Sequence, residues 1–297
     1  MKNRKNFWAY LAWISLCIIW GTTFLAIKVG VKDLPPLLFA GLRWLIAGSI
    51  LLAILKIKGI KLPQKKDFIH IIVQGILLLG IANGFVVAAE QWIPSGLTAL
   101  LLATTPFIMF GLEMILPQGP KFNLTVLGGL LCGFFGIIII FYNKLTFLFD
   151  ASNLLGLGFL FIAVIAWALG TVYSKYKKTN TAPLMRAAFQ MLVAGTGQLL
   201  IGIVLGEYHD FVFTTASLLA FLYLVIVASI LGYGSYIYAI SKLPISFVST
   251  HSYINTVIAL FLGWLILNEK IDLQVIIGAA IILIGVFLVK REISKKN

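Results

Sequence analysis

Charge is scarce in this sequence. Asp, Glu, Lys and Arg together make up 11% of the 297 residues, against about 25% in a soluble domain. So small a stock cannot cover a surface facing water, which excludes an ordinary soluble domain. Cysteine is equally thin: Cys17 and Cys132 are the two present, both inside apolar runs. Neither shows CxxC or Cys/His spacing, so there is no disulfide framework and no cysteine metal site. The histidines (His70, His209 and His251) are far apart, with no HExxH and no paired carboxylates. That speaks against an intramembrane enzyme. No glycine-rich loop joins a strand to a helix, so ATP drive on this chain is not expected. The expected cofactor set is therefore empty: no metal and no nucleotide.

What fills the space is hydrophobic, at 61% of residues. Apolar spans run over 8–29, 35–55, 69–90, 95–116, 124–142, 154–174, 184–205, 215–240, 245–267 and 273–289. Each approaches the ~20 residues that a helix needs to cross a bilayer, about twice what a barrel strand needs. Helices follow because lipid offers backbone groups no hydrogen-bond partner. The first span follows a basic stretch, Met1 to Asn6. At about twenty residues it exceeds the ~7–15 of a signal-peptide core, so it is taken as a true span. The connections are too short to hold a soluble domain.

The net charge of +13 would suggest nucleic acid in a soluble protein. Here the basic residues lie between spans and orient the chain instead, so no nucleic-acid partner is expected. With the N-terminus inside, the inner segments hold seventeen Lys and Arg, and the outer segments hold four: Lys28, Lys32, Lys144 and Lys270. That asymmetry places both termini in the cytoplasm.

The chain also repeats itself. At an offset of 147, Trp20 matches Trp167, Lys28 matches Lys175, Pro36-Leu37 matches Pro183-Leu184, and Ala47-Gly48 matches Ala194-Gly195. Further on the offset is 150: Gly84 with Gly234, Ala89 with Ala239, Pro94 with Pro244, Gly128 with Gly278. The expected units are residues 1–146 and 147–297, five spans each. An odd span number inserts the halves upside down relative to each other. The fold expected is an all-α integral membrane protein of ten helices in two inverted five-helix repeats, a recurring plan of secondary transporters.

These landmarks resemble the EamA family of the drug/metabolite transporter superfamily. The resemblance is carried by Trp20-Gly-Thr-Thr-Phe24, Arg43-Trp44 with Ala47-Gly48, and Pro94-Ser-Gly-Leu-Thr-Ala-Leu running on to Thr104-Thr-Pro106. In the second half it is carried by Gly263-Trp264, Glu269-Lys270, Gly278-Ala279-Ala280 and Gly285-Val286. Two positions depart from the family pattern: Pro117-Gln-Gly-Pro120 stands where an acidic residue closes the fourth span, and Thr256 replaces a proline in the ninth. The resemblance implies export or exchange of small metabolites, often amino acids or amphipathic compounds, by a multi-pass protein of a bacterial plasma membrane.

Polar residues within a span usually face the bundle interior or a water-filled cavity. Ser229, Tyr233 and Tyr236 fall at i, i+4 and i+7. Ser246, Ser249, Tyr253 and Thr256 form a second stripe, His251 and Asn255 an i, i+4 pair, and Ser95, Thr98 and Thr105 a third face. Asn83 is the repeat partner of Tyr233, and Trp20 and Trp167, each followed by a threonine (Thr23, Thr171), are partners too. Arg43 lies about eight residues into its span, ~12 Å along a helix. These residues are the candidates for a cavity that takes a small amphipathic solute; the alternative is hydrogen-bonded glue between helices. Arg43 meets either a solute carboxylate or structural acceptors. Glu113 is either a coupling site for protons or a side chain reaching interfacial water. Arg186, at a span mouth, reads as an interface anchor. Gly129-x3-Gly133 and Gly202-x3-Gly206 read as close helix packing, within the chain or between two copies in a homodimer. A lipid-linked flippase shares this physics but needs a side-open groove beside Arg43.

The orientation is directly testable. In intact cells, a Lys144→Cys variant should react with an impermeant maleimide, and Lys296→Cys only after lysis. The reverse pattern would overturn it.

Overall fold

Prolines open several of the helices, since a ring in the first turn lacks only an N–H that the helix does not use. The computed structural model describes residues 2–117, 119–143, 145, 150–177, 179–267 and 272–295, without the side chains of 2–6, 95, 96, 151, 259, 260, 262–267 and 293–295. Ser95, Gly263, Trp264, Glu269 and Lys270 from the motifs above thus lie wholly or in their side chains outside the description. The first half comprises α1 (Lys2–Asp33), α2 (Pro36–Ile57), α3 (Lys65–Gly75), a π-helical stretch (Ile76–Asn83), α4 (Gly84–Ala89), α5 (Ser95–Leu102), α6 (Thr105–Ile115) and α7 (Leu124–Phe141). The second comprises α8 (Leu154–Tyr176), α9 (Pro183–Val204), α10 (Thr215–Tyr223), a second π-helical stretch (Leu224–Tyr233), α11 (Gly234–Lys242), α12 (Ile245–Val248), α13 (His251–Leu267) and α14 (Leu273–Lys295). Among the described residues, nine helical stretches are long and apolar enough to cross a membrane. Together α12 and α13 supply the tenth. Side chains such as Phe161 and Leu219, more than half exposed, face outward, as lipid permits.

The packing is reciprocal between the halves. Helix α2 lies on its repeat partner α9, and α7 on α14. Helix α1 packs against α10, α11 and α13, while α8 packs against α3, α4 and α6. Each half's first helix is therefore embedded in the other half. Both chain ends lie on one face: the Lys290 ammonium sits 5.8 Å from the Tyr10 ring centre.

Backbone groups left over at irregular points are met by side chains, also in repeat-related pairs. Lys28 donates to the Glu90 carbonyl. Lys175 donates to the carbonyls of Ile240 (2.8 Å) and Leu243 (2.7 Å), and Ile240 is the repeat equivalent of Glu90. Glu207 accepts from the first N–H groups of α2, with Leu38 N at 2.7 Å. Asp67 accepts from Asn180 N (3.1 Å) and Thr181 Oγ1 (2.7 Å), just before α9. At the π stretches, Gln198 Nε2 donates to Leu79 O (2.8 Å) and Gly80 O (3.0 Å), and Trp20 Nε1 donates to Ala228 O (3.3 Å).

The fourth span is broken near its middle and the ninth about one turn after its start, features that hydropathy does not show. Pro106 has no N–H to offer Leu102 O, and the Thr105 hydroxyl takes that carbonyl instead at 2.6 Å. The second half has no such proline. There the break at Ser249-Thr250 carries hydroxyls donating to Ser246 O (3.2 Å) and Phe247 O (2.7 Å), a back-bonding that bends helices.

Glycine sets the closest contacts. A Cβ on Gly136 would lie 2.6 Å from the Gly278 carbonyl oxygen, and one on Gly285 2.5 Å from that of Gly129. The Gly129–Gly133 stripe is thus occupied within the chain, and it offers no free face to a second copy. Gly206 does not pack a helix. At φ +78° it follows the end of α9 in the left-handed conformation that glycine adopts without strain. Arg186, expected at an interface, is 6% exposed and therefore buried.

Gly136→Ala should lower stability by about 1–3 kcal/mol through this backbone clash. Gly128→Ala, where the added carbon meets nothing within 4 Å, should be neutral or slightly stabilising. Thermal unfolding in detergent would compare the two, and equal midpoints would refute the contact.

Candidate functional site

A cavity of about 100 Å³ lies between the two halves. Its walls come from α1, α2, the two π stretches, α4, α5, α6, α8 and the broken ninth span. Of the residues singled out in the sequence, Trp20, Thr23, Arg43, Asn83, Thr105, Trp167, Ser229, Ser249, His251 and Asn255 line it. The structure brings them together as one aromatic and one polar cluster.

The aromatic cluster is built from both halves. The Trp20 ring centre lies 5.4 Å from Trp167, 5.4 Å from Tyr236 and 5.2 Å from His251. Tyr236 is 5.0 Å from Trp167. It stands behind the wall, 1% exposed, and shares a hydrogen bond with Thr171, which is buried beside it. Asn255 turns its amide nitrogen to the carbonyls of Cys17 (3.0 Å) and His251 (2.8 Å), and its oxygen accepts from His251 Nδ1 at 3.3 Å. Such offset and edge-on contacts favour aromatic pairs by about 0.5–1.5 kcal/mol each.

The polar cluster centres on Asn83. Its Oδ1 accepts from an Arg43 terminal nitrogen at 2.6 Å and from Trp44 Nε1 at 3.0 Å. The Arg43 guanidinium stacks over the Trp44 ring, 4.4 Å from its centre. Arg43 is 1% exposed, and its Nε has no hydrogen-bond partner among the described residues. Its repeat equivalent, Gln190, accepts from Tyr233 OH at 2.8 Å and donates to Gln74 Oε1 at 2.5 Å. Arg43–Asn83 and Gln190–Tyr233 are thus the same pair of positions in the two halves. Trp44 and Tyr233, 5.7 Å apart, join the two clusters.

Thr171, Tyr233, Tyr236, Tyr253 and Glu113 stand off the wall. Tyr233 leaves the face of Ser229 because a π turn closes on i+5 rather than i+4. Tyr253 turns away to donate to Leu130 O at 3.1 Å, lying in the space opened by Gly133. Thr171 and Tyr236 hold the wall from behind. Glu113 accepts from Tyr176 OH at 2.8 Å and is 4% exposed. It lies one turn beyond the lining residue Met109, away from interfacial water. Sequence reasoning passed over Gln190 and Glu90, and it gave Trp44, named in the Arg43-Trp44 motif, no place in the site. The 147 offset from Arg43 would have found Gln190, and the only acid in the third apolar span would have flagged Glu90.

A ten-helix bundle with a cavity at the seam of two inverted halves defines a membrane transporter. The sequence profile of the EamA-like transporter family matches this chain twice, over residues 7–142 and 154–291, and the chain belongs to that family. It is 32% identical over 290 residues to the uncharacterized inner membrane transporter YedA of Escherichia coli (strain K12), covering 97% of this chain and 92% of that one. It is 29% identical to the uncharacterized transporter YoaV of Bacillus subtilis (strain 168), covering 96% and 97%. A WAT1-related chloroplastic protein of Arabidopsis thaliana is 27% identical, covering 94% and 69%. A solved structure superposes with a TM-score of 0.80 at 18% identity, covering 96% of this chain and 98% of its own, and shows the same fold.

Replacing Asn83 by Ala removes the one acceptor shared by Arg43 and Trp44. Each buried donor so orphaned costs about 1–3 kcal/mol. A clear fall in thermal midpoint is expected for Asn83→Ala, and an unchanged midpoint would show that water already serves both donors.

Proposed function

We propose that the protein is a secondary transporter of small organic metabolites, an exporter or exchanger of amino acids or similar amphipathic solutes, working by alternating access. The observation that carries this is the pairing of Arg43 and Asn83 with the Trp20–Trp167 cluster across one cavity. A guanidinium suits a carboxylate, and the aromatic surface suits an apolar side chain. The cavity sits where two inverted five-helix units, divided near residue 146, meet, so rocking one against the other would expose it to each face in turn. The placement is the bacterial inner membrane with both termini cytoplasmic, supported by the basic-residue asymmetry and by the relative named as an inner membrane transporter. A flippase would want Arg43 beside a lateral opening, whereas Arg43 is buried.

The test is counterflow of labelled L-phenylalanine in proteoliposomes, followed by a panel of other amino acids. Exchange above empty liposomes is expected, with a fall of about tenfold or more in Arg43→Lys, which lacks the planar fork. Solute exchange equal to empty liposomes across the panel would overturn the reading.

A further inference from the structure

Glu90 is fully buried, and among the described residues neither carboxylate oxygen has a hydrogen-bond partner. It directly follows α4, one turn beyond Val86, which lines the cavity. Its own carbonyl, not its carboxylate, holds the Lys28 ammonium. The charged groups acting on it are Lys28 of α1 and Arg43 of α2. The other elements against α4 add none: the first π stretch carries no titratable residue, and neither does α8 from Leu154 to Val172. A carboxylate in such a place loses its hydration with no donor to replace it, and it sits at the negative end of a helix dipole. Glu113 differs, because Tyr176 already donates to it.

The geometry points to Glu90 as the proton site of this transporter, loaded together with a solute carboxylate on Arg43. In the closed form that carries solute, Glu90 holds a proton on one oxygen, and the empty form crosses with Glu90 as the anion. When the cavity opens, water reaches it, the O–H bond breaks, and the proton passes to that water. The fields of Lys28 and Arg43 then favour the anion. A solute carboxylate arriving at Arg43 takes over the counter-charge role, Glu90 regains a proton from the same side, and both cross together; this fits the exchanger form of that reading, in which an inward proton gradient drives net uptake and not export. This rests on the transport reading above; in it Glu90, not Glu113, carries the coupling.

Two measurements test it. In nanodiscs titrated with acid, infrared spectroscopy should show a protonated-carboxyl stretch growing in that is absent in Glu90→Gln and persists in Glu113→Gln. In proteoliposomes loaded with L-phenylalanine, an internal pH dye should report proton movement with net solute flux. Glu90→Gln mimics the loaded form, which can exchange but cannot return empty. It should therefore lose net flux about tenfold more than counterflow. An unchanged carboxyl band, or proton movement equal to the unaltered protein, overturns the proposal. If Glu90→Gln does not fold, Glu90→Asp replaces it: a shifted band sustains the site and an unshifted one removes it. Absence of counterflow by the unaltered protein counts against the solute reading, while the infrared result still decides Glu90.

Discussion

Within lipid, no backbone N–H or carbonyl can turn to water, and each one left unpaired costs several kcal/mol. A bundle of unbroken helices meets that constraint at once, but it has no cavity and no place to flex. This chain departs from regular helix at four places, the two π stretches and the breaks in the fourth and ninth spans, and each departure brings its own donor. Gln198 and Trp20 serve the π stretches, Thr105 replaces the missing proline N–H, and Ser249 and Thr250 bond back at the second break. The irregular backbone then lies where it lines the cavity. Leu79, Ala82, Asn83, Ala228 and Ser229 reach the wall from the π stretches.

The same constraint shapes the lysines. Lys28 and Lys175 occupy equivalent repeat positions, and each bonds carbonyls where a chain reverses before a proline. A long side chain with three donors suits that task at a helix end, where carbonyls lack partners. Counted only as charges, Lys175 fits the positive-inside pattern, whereas Lys28 lies on the outer side and goes against it. In the structure both are backbone ligands, so helix termination accounts for Lys28 where charge bias does not.

The spans, their number and their division into halves were legible in the sequence, because run length and gapless landmarks are set by bilayer thickness and by duplication. The part of the cavity wall made by Trp20, Trp167, Arg43, Asn83 and His251 was legible because polar or repeat-related residues in a span have few other places to go. Tyr233 was misplaced because the π insertion breaks the 3.6-residue register, which hydropathy does not report. Tyr253 was misplaced because its hydroxyl found a carbonyl across the gap left by a glycine on another helix. Glu90 escaped notice because an acid at a span end reads as an interface residue until the neighbouring elements are seen to bury it.

What duplication made alike, the site has made different. Arg43 bonds Asn83 in one half; at the equivalent positions Gln190 and Tyr233 bond each other. The geometry of the pair survives, but one half offers a cation and the other a neutral, aromatic-backed amide. The breaks diverge too, with Pro106 and Thr105 at one and the hydroxyls of Ser249 and Thr250 at the other. Two identical halves would present a solute with two equivalent ends. These present a charged end near Asn83 and an aromatic end at Trp20 and Trp167, so a solute with one polar and one apolar end has a single favoured orientation across the seam.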